Sequence, residues 1–430
     1  MKRFGLRTYA LSGGVAAALL AGCGGSQLPL GSSVADEVAA PTRDATHDYR
    51  VIYSFKGGRK ADGSGPGALT AMNGTLYGAT VYGGGLGCIS RGVIGCGTVF
   101  QVSTSGEESV IYRFVGPPNA EFPIGTPINL NGDWYGSSYG GAYSSGTRDL
   151  GNGAVYRLDA SGQEQVIYSF KGGSNDGAGP VGDLVALNGI LYGTTTAGGF
   201  GYGSSHSGYG TVFKLTPSGS ESLLHKFTGQ NDGAYPWAGL IAYKGNLYGT
   251  TQLGGKENFG TVFSITTSGK ERVLYSFKGY RAGGKPEGPL TAVDGNLYGT
   301  AAGSGNSHRI FWGTIFKLGL SGKETILHRF HNDGRDGTFP SSRLLNFNGE
   351  LYGTTGTGGA HDAGIVFSLT YAGEERIVHT FSARHDGGGP NGVIAIKNML
   401  YGSTGGGGTA RCYEYAGKWY PCGTVFRLNP

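Results

Sequence analysis

The sequence predicts an all-β protein, a seven-bladed β-propeller of four-stranded antiparallel blades whose ring is closed by the N-terminal strand. Three observations lead there. A three-part pattern returns seven times at a spacing of roughly 50 to 59 residues, a period that belongs to solenoids, propellers and arrays. Each copy contains four short apolar runs separated by turn residues. The first copy is preceded by a lone fourth run, Val51 to Phe55, and the last copy stops after its third, Gly423 to Leu428. The N-terminal run can therefore complete the last blade. A β-solenoid would have shorter coils and no need of such permuted ends. Glycine is abundant at 86 of 430 residues, yet aromatic residues make up 12% and fall at fixed places in the repeat, which a disordered chain would not show.

The fourth copy shows how each element is read. Pro236 to Tyr243 is a short apolar first strand, and Lys244-Gly245 follows as a tight turn. Other copies place Asn73-Gly74, Asn188-Gly189, Asp294-Gly295 and Asn348-Gly349 there, a strong hairpin signal because both turn residues need positive φ. The second strand, Asn246 to Thr251, contains Leu-Tyr-Gly-Thr-Thr. Its interior Gly249 implies a close backbone approach from a neighbouring sheet. A longer loop leads to the third strand, Gly-Thr-Val-Phe-Ser-Ile (Gly260 to Ile265). A second short turn leads to the fourth, Glu271 to Phe277. Asp62, Asp176, Asp232, Asp336 and Asp386 recur in Asp-Gly turns after the fourth strand, where turn chemistry explains them better than catalysis.

The order of elements resembles kelch repeats. It resembles more closely the Gloeo-Verruco tandem-repeat family of secreted bacterial proteins, through L-Y-G-T-T, G-T-V-F-x-L and D-G-x-x-P over residues 50–430. That resemblance implies the repeat fold and no particular activity. The second copy departs most: Trp134 replaces Leu, Ala154 and Tyr156 alter G-T-V-F, and the Asp-Gly turn is missing near Asn119.

The first residues read as an export signal. Lys2, Arg3 and Arg7 precede a short apolar stretch, Tyr9 to Ala21, that ends in Leu20-Ala21-Gly22-Cys23. These four residues resemble the lipobox of bacterial lipoproteins, which implies lipidation of Cys23 after removal of residues 1–22. The expected partner of that end is the membrane. Gly24 in place of Asp leans toward the outer membrane. Residues 23–48 then form a lipidated tether and residues 49–430 the propeller. Removing Lys2, Arg3 and Arg7 lowers the formal net charge from +5 by three, to +2. Nothing in that balance calls for nucleic acid. Four cysteines remain. Cys88 and Cys96, and Cys412 and Cys422, bracket equivalent loops and are expected to form two disulfides, since C-x-x-C zinc spacing is missing.

Function should sit on one face. The turns after the first and third strands are short, whereas the loops after the second and fourth are long and differ among copies. Those long loops carry many aromatic residues, among them Tyr209, Tyr235, Phe259 and Trp312. The residues entering the first strand also break the repeat: Gly67, Asp183, Trp237, Glu287, Arg343 and Asn391. His225, His328 and His379 stand where other copies have Tyr and read as structural. His308, His331, His361 and His385 fall in loops of blades five to seven, without an H-x-x-x-H pair, so no metal and no cofactor is expected. No phosphate-binding loop is present. The reading is a lipid-anchored extracytoplasmic binding module for a glycan or an envelope protein. Its candidate contacts are Asp183, Trp237, Glu287, His308, Trp312, His331, Arg343, His361 and His385. The alternatives are a polysaccharide lyase or hydrolase at the channel mouth of blades five to seven, and a structural or adhesive surface protein.

Overall fold

Seven four-stranded antiparallel sheets follow one another along the chain in the computed structural model. It describes residues 48–57, 62–85, 88–90, 93–141, 151–200, 208–279, 283–303, 312–415 and 418–430. Blade four consists of Ile241–Tyr243, Asn246–Thr251, Thr261–Ile265 and Glu271–Ser276 in that spatial order. Blades one, two, three, five and six repeat it. Blade seven is built from Gly388–Ile396, Met399–Gly406, Thr424–Leu428 and the N-terminal strand Arg50–Ser54. Arg50–Ser54 pairs antiparallel with Thr424–Leu428, so the expected closure is present.

The turn between the first two strands behaves as its residues require. Asn73, Asn131, Asn188, Lys244, Asp294, Asn348 and Lys397 all have φ between 47° and 57°. This left-handed pairing matches the twist of a two-residue hairpin.

Gly249 corrects one expectation. A Cβ there would lie 2.6 Å from the ring of Phe263 and 2.8 Å from Leu240. Phe263 is its own cross-strand partner in the same blade, so the glycine makes room for a ring and not for a neighbouring backbone. Phe100, Phe213, Phe263, Phe316 and Phe367 fill this place, all fully buried. Each contributes about 1.5–3 kcal/mol by leaving water. Tyr156 fills it in blade two.

The seams between blades are also repeated. The glycine that opens G-T-V-F lies under the proline that leads into the next blade. A Cβ on Gly313 would meet Pro340 Cδ at 2.3 Å, and one on Gly423 would meet Pro66 Cδ at 2.6 Å. The second of these is the closing seam. Beside it, second-strand hydroxyls donate to carbonyls of the following blade: Ser137 to Gly182, Thr194 to Ala238, Thr354 to Pro390 and, across the closure, Ser403 to Gly67. The ring thus closes with the contacts that hold its interior seams.

Candidate functional site

The first strands of neighbouring blades converge on an axial cavity of about 380 Å³. Ala242, Ala292, Asn346 and Ile394 are among its lining residues. Arg343, which enters the first strand of blade six, lines its mouth. Asp183 of blade three and Arg343 of blade six lie on opposite sides of the ring, and their side chains approach to 3.7 Å. This ion pair bridges the mouth. Asp183 also accepts a hydrogen bond from the Thr126 backbone N–H of blade two at 2.7 Å. Glu287 accepts from the Gln252 side chain at 2.7 Å, and burial pushes its carboxyl above the usual range. Asn391 donates to the Pro66 carbonyl across the closing seam. Variable entry residues therefore join one blade to another. Trp237 is half-buried at the entry to blade four.

The loop histidines do not converge. His331, His361 and His385 are exposed on three separate turns, and none joins a group of three ligating side chains among the described residues. His308 and Cys23 lie outside the described residues. Cys88–Cys96 and Cys412–Cys422 are both bonded as expected.

A second feature lies where the two sets of long loops meet. The residue just before each seam proline donates its N–H to the carbonyl of the residue just before G-T-V-F in the preceding blade. Gly65 to Cys422, Phe122 to Cys96, Gly179 to Asn152, Tyr235 to Tyr209, Lys285 to Phe259, Phe339 to Trp312 and Gly389 to Ala363 complete the set, at 2.8 to 3.0 Å. The backbone there is left-handed in every frame, with φ between 55° and 66°. Gly65, Gly179 and Gly389 take this conformation freely. Phe122, Tyr235, Lys285 and Phe339 take it at a cost on the order of 1–3 kcal/mol each.

Three of those four are aromatic, and each meets a ring from the preceding blade. Phe122 is buried against Tyr82, with ring centroids 5.8 Å apart. Tyr235 meets Tyr209 edge-on at 6.2 Å, and Phe339 meets Trp312 edge-on at 5.8 Å. Tyr209 is 39% exposed and Phe339 43%. Tyr209, Tyr235, Phe259, Trp312 and Phe339 thus form an aromatic arc from blade three to blade six. Sequence reasoning placed Trp312, Tyr209, Tyr235 and Phe259 on this face and missed Phe339 and Phe122. The signal for the missed pair was available: three frames read Gly-Pro where these read Phe-Pro.

A third constellation lies at the outer strands. In five frames the Tyr or His of the fourth strand meets the Asp of the following turn; Tyr112 and Tyr275, which lack that Asp, meet Glu164 and Glu324, the residues that open the next blade's fourth strand. Tyr168 donates to Asp176 at 2.8 Å, Tyr53 donates to Asp62, and Tyr53 Oη lies 3.2 Å from Glu108. Each Asp also accepts backbone N–H groups of its own turn, as Asp336 does from His331 and Gly337. Burial raises the carboxyls of Glu108, Glu164 and Glu324, and pushes those of Glu221, Glu271 and Glu375 up to about 7. In blade seven Tyr49 stands in place of the Glu, and its ring stacks flat on His379 with centroids 3.9 Å apart.

Blade count, strand order and closure by the first strand define a seven-bladed β-propeller. Residues 199–416 match the Gloeobacter/Verrucomicrobia repeat model, and the chain belongs to that family. No curated protein matches it in sequence. Among solved structures it is similar to a fungal alcohol oxidase of the AA5 family in complex with copper. The TM-score is 0.51 at 13% identity, over 85% of this chain and 74% of that one. It is also similar to the GH74 xyloglucanase from Xanthomonas campestris, with a TM-score of 0.51 at 11% identity, over 84% of this chain and 52% of that one. At such identities the likeness concerns the fold alone.

Proposed function

We propose that this protein is a lipid-anchored propeller of the bacterial envelope that binds a glycan along the aromatic arc of its long-loop face. The observation behind this reading is the use of Tyr235 and Phe339 at left-handed positions where three other frames use glycine. Folding alone favours glycine there. A strained, partly exposed ring is the kind of outlier that points to a task outside folding. The ring faces suit stacking against sugars because rigid aromatic side chains lose little entropy on contact. Anchoring through Cys23 would hold the propeller at the envelope, and the two disulfides agree with an oxidising compartment.

The test is binding of cell-wall and capsular oligosaccharides by calorimetry, with Phe339→Gly beside the unaltered protein. The variant is expected to keep its fold and lose at least tenfold in affinity. Equal affinity in both would overturn the assignment of the arc. Binding to an isolated envelope protein with no response to any sugar would overturn the glycan.

A further inference from the structure

We propose that His328, Asp336 and Glu375 form a binding site for a borderline divalent metal ion, zinc in the first instance, at the seam between blades five and six. The three ligating atoms lie within 4.8 Å of one another. His328 comes from the fourth strand of blade five, Asp336 from the turn that follows, and Glu375 from the fourth strand of blade six. The site therefore joins two blades.

The repeat supplies the internal comparison. Tyr53, Tyr112, Tyr168 and Tyr275 occupy the place of His328 in other frames. A tyrosine hydroxyl there donates a hydrogen bond to the Asp carboxylate, as Tyr168 does to Asp176. Histidine instead can turn a nitrogen lone pair toward a cation held between the same two carboxylates. His328 Nε2 is 3.3 Å from an Asp336 oxygen. Two ligands each about 2.0–2.2 Å from a tetrahedral zinc ion sit roughly 3.3–3.6 Å apart. One Glu375 oxygen is buried with no hydrogen-bond partner among the described residues, as are the equivalent oxygens of Glu108, Glu221, Glu271 and Glu324, but only here does it lie with a histidine nitrogen and an Asp oxygen in one three-ligand group. Asp336 keeps the backbone N–H groups of His331 and Gly337, which hold its carboxylate in orientation. Asp333 adds negative charge nearby.

The other two histidine frames lack the full set. His225 is 3.3 Å from Asp232, but Glu271 does not complete a three-ligand group with them. His379 is 3.8 Å from Asp386, and the third position belongs to Tyr49, stacked on the imidazole. Among the described residues, this is the one histidine frame with the three ligands together. A water molecule would complete the coordination.

The experiment is zinc titration of the untagged protein at neutral pH, followed by calorimetry and by the thermal midpoint. One equivalent is expected to bind and to raise the midpoint, since an ion that binds only the folded ring stabilises it by mass action. His328→Tyr installs the residue used in four other frames, so its metal-free midpoint should stay close to the original while zinc affinity falls at least tenfold. Glu375→Gln should weaken binding as well. The proposal is overturned if no saturable zinc binding occurs at micromolar concentrations. It is equally overturned if His328→Tyr binds as the unaltered protein does, which would assign the ion to exposed histidines such as His331.

Discussion

Gly313 and Phe339 flank the same proline, Pro340, and follow opposite rules. Gly313 opens G-T-V-F in blade five and has no room for a side chain, because a Cβ would meet Pro340 Cδ at 2.3 Å. The equivalent position is glycine in all seven frames. Phe339 has a backbone that prefers glycine, with φ of 56°, yet it carries a large ring that is 43% exposed. The seam fixes its residue by volume. The neighbouring surface position is free in volume and is filled against its backbone preference. Uniformity across the frames therefore reports packing, and departure from it in an exposed place reports something beyond packing.

Alanine at the seam is expected to have the largest effect. Gly423→Ala forces a side chain into a backbone with φ of 95° and against Pro66. Strain and overpacking together predict a loss of about 2–5 kcal/mol, read from urea unfolding. Gly313→Ala should cost a similar amount. A much smaller loss at Gly423 would mean that the closing seam carries less of the stability than interior seams do.

A sharper contrast comes from one substitution at two equivalent positions. Phe122 is buried and Phe339 is exposed. Phe122→Gly should destabilise by about 3 kcal/mol through the cavity it leaves. Phe339→Gly should be neutral or stabilise by up to about 1 kcal/mol as the backbone strain is released. A large loss at Phe339 would make that ring part of the core and remove the reason to assign it a surface task.

The outer carboxyls give a pH dependence of intermediate size. Glu221, Glu271 and Glu375 are raised to about 7 by burial, above the ordinary glutamate value of 4.5. Their protonated forms are favoured in the folded ring. The stability they contribute is present below about pH 4.5 and is lost as pH rises through about 7. His225 is lowered by burial and acts in the opposite sense, losing its contribution as pH falls below its ordinary 6.5. The carboxyls outnumber it, so the thermal midpoint should fall between pH 5 and pH 8. Glu271→Gln should flatten that slope, and an unchanged slope would mean that the buried carboxyls do not titrate in this window.

The smallest effect belongs to the channel mouth. Arg343 is 48% exposed in its pair with Asp183. Arg343→Ala should change stability by less than about 1 kcal/mol, because water screens such a pair. A larger loss would make the bridge a structural strut.

The fold was legible because its signals are local and repeated seven times. Asn-Gly turns, short apolar runs and paired cysteines each depend on residues close in sequence, and the permuted ends gave the closure. Gly249 was recognised as a crowded position, but what crowds it is Phe263 of its own blade, fourteen residues away, and spacing alone does not distinguish a ring from a backbone. The entry residues Asp183, Glu287 and Asn391 were seen to break the repeat, whereas their role in joining blades depends on which blade lies opposite or adjacent. His331, His361 and His385 looked like a group in the sequence and stand on separate turns in the structure.

The sequence by itself determined the blade, the number of blades, the closing strand and the face with long loops, since each follows from turn chemistry and periodicity within one repeat. Only the tertiary structure decided which rings share an arc, that Asp183 reaches Arg343 across the mouth, and that His328 meets Glu375. Those pairs join different blades, and their separation is set by the curvature of the closed ring, a property that no single repeat contains.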